Sequence, residues 1–314
     1  MSFKPQISKH PRSASLRDIA RETLDAIKEG SYTIPNAPSV SFDLEAKVAD
    51  SKRRTRYHLP DSSLLKSWRT KPLAAPMPSI SSATELTFIE ISTLEGARYL
   101  RARSTEKIGV LNFASAKKAG GGFINGASAQ EESIARSSTL YPTLITKEAE
   151  QFYDLHKRVP KGGYYSHAMI YSPDVVLFRD DAGDWLEPLE VDILTSPAVN
   201  AGVVRQTVRA RVAANAEEEL IHKVMTERMA RILRLFEQEG VKNLVLGSFG
   251  TGVFKNRVET IGRIWADLLG VEGSRFETSF QRVVFAVLGK KTFEELQTAF
   301  EHRQQEVRKR IQLA

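Results

Sequence analysis

The chain has 314 residues, 41% hydrophobic and 26% charged, with a net charge of +7 and no cysteine. That length can bury a sizeable core, and the missing cysteines exclude disulfides, a catalytic thiol and thiolate metal sites. No apolar run reaches the length of a membrane helix, and residues 1–6 lack the apolar segment of a secretory signal. An intracellular protein, cytoplasmic or nuclear, is therefore expected. The basic balance favours polyanionic partners without choosing among them.

In chain order, residues 1–15 are rich in Pro and Ser and are expected to be poorly ordered. Leu16, Ile19, Ala20, Thr23, Leu24 and Ile27 share one helical face, and Gly30 stops that helix. Residues 33–85 carry much Pro and Ser and little periodicity. Within them Lys52-Arg53-Arg54-Thr55-Arg56 is a basic cluster, read as a solvated surface loop. Residues 1–85 are thus expected to form an extension packed on a main domain spanning 86–314. From residue 86 the pattern becomes α/β: strand 86–91, helix 93–102 and the apolar strand 108–113. A glycine-rich loop and a further helix follow. Residues 167–171 and 175–179 read as two strands across a Ser-Pro-Asp turn, and 189–194 as another. A long amphipathic helix over 216–239 has Leu220, Val224, Ile232 and Phe236 on its apolar face and ends at Gly240. Strand 241–246, helix 258–269, strand 283–288 and helix 292–311 complete the chain. Strands alternating with helices predict a sheet covered on both sides.

The most informative stretch is Gly120-Gly121-Gly122-Phe123-Ile124-Asn125-Gly126-Ala127-Ser128-Ala129-Gln130-Glu131-Glu132. Three glycines let the backbone lie directly against a ligand. Ser128 and Glu131 have capping-box spacing, so a helix is expected to start there. Strand, glycine loop and helix N-terminus together make an anion site, with loop amides and the helix dipole pointing positive charge outward. Two carboxylates at that same end suggest a reaction as well as binding. Glu131 alone reads as a capping partner, and Glu132 alone as a solvated carboxylate; the functional reading rests on their conjunction with the loop. A second block, Gly247-Ser248-Phe249-Gly250-Thr251-Gly252, also follows a strand and precedes a helix. It matches neither a Walker loop nor the Rossmann spacing. It reads as a strand-to-helix turn or as the opposite wall of one cleft. Asn112 and Asn200 sit at strand ends near that cleft, with ligand and turn roles both open. His156, His167 and His222 have no ligand spacing, and Asp180-Asp181 with Asp184 reads as a surface turn, so no metal site is expected.

Gly-Gly-Gly, a short spacer and Gln-Glu-Glu resemble the signature of the microbial-type poly(ADP-ribose) glycohydrolases, a branch of the macrodomain superfamily. The flanks agree: Asn112-Phe113-Ala114-Ser115-Ala116 before the glycines, and Arg136-Ser137-Ser138-Thr139-Leu140-Tyr141 after the glutamates. So do Ser196-Pro197-Ala198-Val199-Asn200 and the block running from Gly247 through Val253-Phe254-Lys255-Asn256. The blocks span roughly residues 85–290 in the family's order. Phe249 and Thr251 stand where the family usually has Trp and Cys, changes that backbone-amide binding should survive. The resemblance implies a macrodomain-like three-layer αβα sandwich with a mixed sheet and an N-terminal helical accessory segment. It implies hydrolysis of ribose–ribose bonds in poly(ADP-ribose), with ADP-ribose as product. Mono-ADP-ribosyl-protein hydrolysis and non-catalytic ADP-ribose reading are the alternatives. Glu132 would be the catalytic acid and base, with Glu131 holding the ribose. Gly120, Gly121, Gly122, Gln130, Asn112 and Asn200 would contact substrate. Backbone amides of Gly250, Thr251, Gly252 and Val253 would bind the pyrophosphate, and Phe254 would pack on the reacting ribose. The implied partners are poly(ADP-ribose) or ADP-ribosylated proteins, with no cofactor, no metal, no membrane, no direct nucleic-acid binding and a monomeric chain.

Overall fold

The structure, a computed structural model, describes residues 15–70, 83–158 and 162–313. The stretch expected to be poorly ordered lies outside these, except for Ser15. Helix α1 (Leu16–Glu29) starts where the Ser15 side chain accepts the Asp18 N–H, and it ends at Gly30 as its periodicity predicts. Strands β1 (Ser31–Ile34) and β2 (Ala37–Asp43) form an antiparallel hairpin. Helix α2 (Glu45–Arg54), strand β3 (Arg56–His58) and the short α3 (Ser63–Lys66) follow. The basic cluster expected to be a loop is therefore the last turn of α2 and the start of β3. Three cations close that helix, and Arg54 also pairs with Asp50 and Asp174.

The main sheet is then built from β4 (Glu85–Ile89), β5 (Ile108–Phe113), β6 (Met169–Arg179), β7 (Trp185–Ser196), β8 (Asn243–Leu246) and β9 (Arg282–Ala286), together with β3. Its order is β3-β6-β7-β5-β8-β9-β4. The β3, β6 and β7 neighbours are antiparallel, and β7-β5-β8-β9-β4 run parallel. The two strands expected across the Ser-Pro-Asp turn are one strand, β6. Its register against β7 shifts between Ser172 and Val175, and Asp174 sits there at φ +49°. A bulge absorbs the extra residues, and the Asp174 N–H is satisfied by Asp192 Oδ1 at 3.0 Å. No chain reversal is needed.

Successive residues of the parallel strands face opposite sides, as the strand period of two requires. Val110, Ile193, Val245 and Val284 pack under α4 (Thr93–Arg101), α5 (Gln130–Ser137), α6 (Leu140–Leu144) and α7 (Lys147–Arg158). Leu111, Leu194, Leu246 and Phe285 pack under the opposite layer. That layer holds α10 (Ala214–Gln238), α11 (Val258–Trp265) and α12 (Lys290–Leu313). Two short helices, α8 (Ala201–Val204) and α9 (Val208–Val212), lie between β7 and α10. The result is the expected three-layer αβα sandwich on a mixed sheet.

The N-terminal segment is woven into this sandwich. β3 pairs with β6, and Trp68 is buried in the α10 layer with its Nε1 donating to Glu227. Helix α1 packs Ala20 and Leu24 against Phe123 and Ala135. Thr23 Oγ1 also donates to the Arg136 carbonyl at 2.5 Å. The N-terminal helix thus braces both the glycine loop and α5.

Candidate active site

Strand β5 ends at Phe113, where the chain leaves the sheet, loops through residues 114–129 and re-enters as α5. Gln130, the first residue of α5, ties the two ends of this excursion together. Its Oε1 accepts the Phe113 N–H at 2.9 Å, and its Nε2 donates to Leu111 O at 2.8 Å and Thr93 Oγ1 at 3.2 Å. The expected Ser128 cap does not form: Ala129 occupies the N-cap with no side-chain hydrogen bond. The carboxylate meant to complete that capping box is used elsewhere.

Glu131 is 2% exposed and Glu132 is 9% exposed. Glu131 Oε2 accepts the Ser115 N–H at 2.7 Å, and Asn112 Nδ2 lies 3.4 Å from Oε1. Glu132 Oε1 accepts the Gly122 N–H at 2.8 Å, and Oε2 accepts no bond from the described residues. Adjacent helical positions diverge by about 100°, so the two acids approach the glycine loop from different sides. They converge at the bare Cα of Gly121. A Cβ there would lie 2.3 Å from Glu132 Oε1 and 3.1 Å from Glu131 Oε2, at a residue whose φ is +59°. Burial, reinforced by the charge of Glu132 and only partly offset by the Ser115 N–H, pushes the Glu131 carboxyl up to about 8.

The second glycine block leaves β8 and forms the facing wall. Gly250 has φ +74°, and its missing side chain leaves room for Ala198, whose Cβ would otherwise be 2.3 Å away. Asn256 fixes the loop by donating to Val199 O at 2.7 Å and Gly250 O at 2.9 Å. Among the described residues, no hydrogen bond occupies the N–H groups of Gly250, Gly252 or Val253. The Thr251 N–H is different: it turns inward to Ser248 O at 3.2 Å. Phe249 is buried against Phe113, in the core rather than in the site. Both walls line one cleft of about 640 Å³ that includes Gly121, Gly122, Glu131, Glu132, Gly250, Thr251, Gly252, Val253 and Phe254.

The model of the microbial-type poly(ADP-ribose) glycohydrolase catalytic domain matches residues 20–180. The chain belongs to that family. A solved glycohydrolase structure from Thermomonospora curvata is 37% identical, with a TM-score of 0.78 over 92% of this chain and 98% of that one. The same organism's enzyme bound to the inhibitor ADP-HPD is 36% identical, with a TM-score of 0.77 over 92% of this chain and 98% of that one. The Deinococcus radiodurans glycohydrolase in complex with ADP-ribose is 33% identical, with a TM-score of 0.69 over 83% of this chain and 98% of that one. No curated protein matches the chain.

Within this glycohydrolase cleft several residues expected to contact substrate also brace the protein, and of these Gln130 lines the cleft. Asn112 is fully buried and reaches Glu131 and Thr195. Both polar atoms of the Gln130 side chain are bonded to the protein. Asn200 caps α8 by accepting the Val203 N–H at 3.1 Å, and Gly120 is buried behind the loop. None of Asn112, Asn200 and Gly120 lines the cleft. Of the cleft residues that escaped the sequence reading, three carry polar or charged groups next to the glutamates or the loop. Ser115 holds Glu131 through its backbone, which no side-chain pattern announces. Asp181 belongs to the expected surface turn, with Asp180 N–H donating to Asp184 O, yet its carboxylate accepts the Ser92 hydroxyl and lines the cleft. Burial raises the Asp181 carboxyl above its ordinary range. Lys118 is the third. No group of three or more His, Cys, Asp or Glu that could hold a metal occurs among the described residues.

Proposed function

We propose that Glu132 is the acid and base with which this poly(ADP-ribose) glycohydrolase cleaves the ribose–ribose bond. The observation that carries the assignment is the convergence of the two glutamates at Gly121 with different partners, Ser115 and Asn112 for Glu131 and Gly122 for Glu132. Glu131, pushed up to about 8, holds a proton at neutral pH. It can donate to a ribose hydroxyl without adding charge. Glu132 keeps one carboxylate oxygen free of bonds to the described residues. The substrate's pyrophosphate lies over the free amides of Gly250, Gly252 and Val253, with Phe254 against the reacting ribose.

Glu132 then gives a proton to the leaving 2′-oxygen as the bond from C1 of the terminal ribose breaks. The oxocarbenium-like cation that develops is stabilised by the substrate's own phosphates. Water adds to C1, and Glu132 takes its proton back. One water is consumed, and the products are ADP-ribose and a polymer one unit shorter with a free 2′-hydroxyl.

Glu132→Gln keeps size and hydrogen bonding but cannot cycle a proton. Turnover is expected to fall about 10²-fold or more, with ADP-ribose affinity and thermal stability retained. Normal turnover in that variant, measured beside calorimetric ADP-ribose affinity, would remove Glu132 from the chemistry.

A further inference from the structure

Lys118 is the sole cation among the described residues lining the cleft, against the carboxylates of Glu131, Glu132 and Asp181. Its backbone is held from both sides. The Lys118 N–H donates to Ser115 Oγ at 3.2 Å, and its carbonyl accepts the Gly121 N–H at 3.0 Å. Ser115 is the residue that holds Glu131, and Gly121 is the point on which both glutamates converge. The mount is therefore tied to the loop that holds the glutamates. The side chain, by contrast, is exposed and takes part in no ion pair or hydrogen bond with any described residue.

On the reading above, the terminal unit's pyrophosphate is served by the amides of the facing wall. A cation beside the glutamates is then left for the other side of the scissile bond. That side carries the next ADP-ribose unit, whose own pyrophosphate is attached to the ribose that leaves. We propose that Lys118 pairs with this second pyrophosphate, making it a specificity-determining residue that favours polymer over a single ADP-ribose on a protein. A protein-linked single unit has no phosphate there. A charge-assisted contact of this kind acts on polymer capture and leaves the terminal-unit site alone.

The test uses full-length Lys118→Ala and Lys118→Arg with poly(ADP-ribose) of defined length and, separately, free ADP-ribose. Lys118→Ala is expected to raise KM for polymer about tenfold, the size of one hydrogen bond to a charged group. Its kcat, ADP-ribose Kd and thermal midpoint should stay near wild type. Lys118→Arg should restore KM, and the salt dependence of KM should weaken in Lys118→Ala. Unchanged KM would overturn the proposal. A parallel loss of ADP-ribose affinity would also overturn it, by placing the lysine on the terminal unit. Absence of polymer turnover in the wild-type arm would instead overturn the activity reading on which the proposal rests.

Discussion

Glu131 accepts a backbone N–H at the start of a helix, two features that favour a charged carboxylate, and yet it prefers its proton. Burial decides the contest. Between its ordinary value of 4.5 and about 8, the folded chain holds a proton that the unfolded chain has lost. Folding stability from this group is therefore present in full at low pH and falls as pH rises through that window. Glu131→Gln should flatten the decline and make the variant the more stable protein at about pH 8; urea midpoints of both proteins across the window check this. An identical slope in the two proteins would show that Glu131 is ionised when folded. At this scale the Gln130-Glu131-Glu132 triplet was legible in the sequence, but the work of each member was less so. Gln130 bonds the protein through both ends of its amide, tying β5 to α5, and Asn112 uses its Nδ2 on Glu131 and Thr195. Such neighbours look the same as ligand contacts in a one-dimensional string.

The two glycine loops were legible as elements, for a physical reason: each has a position where only a residue without Cβ fits. Gly121→Ala would press a methyl group into Glu132 Oε1, and Gly250→Ala would press one into Ala198. Each also forces a side chain onto positive φ, at a cost of about 1–3 kcal/mol. Their functional outcomes should differ. Gly121→Ala displaces the acid, so turnover should fall with ADP-ribose affinity largely kept. Gly250→Ala distorts the amide wall, so ADP-ribose affinity itself should fall. Calorimetry and turnover on both variants check the division, and equal loss of affinity in both would contradict it. Element bounds were read well where amphipathic faces were long, as in α1 and α10. They were misread in β6, where Pro173 looks like a turn and is in fact part of a bulge. The 33–85 region showed little periodicity because its described elements are short or, like β2 and α2, bury almost nothing on one face. β3 spans three residues and α3 four, and they gain stability from what they pack on rather than from their own pattern.

At the scale of the whole molecule, residues 15–70 belong with the catalytic unit rather than beside it. We propose that the chain cannot fold stably without them. Removal would strip β3 from the edge of β6, Leu65 and Trp68 from the core and α1 from the glycine loop. Each large apolar side chain of this kind contributes about 1.5–3 kcal/mol when buried. A fragment beginning at residue 71 is expected to lack a cooperative thermal transition; a well-folded, active fragment would show that the main domain stands without residues 15–70. Among the described residues no helix is long and apolar enough to cross a membrane. Among the described residues a cleft is lined by both glycine loops and by the buried pair Glu131 and Glu132. The most direct measurement is incubation of the purified chain with labelled poly(ADP-ribose) in EDTA, followed by sizing of the products. Steady release of free ADP-ribose with shortening of the polymer is expected. Intact polymer from a protein that nonetheless binds ADP-ribose tightly would contradict it and make the molecule a reader.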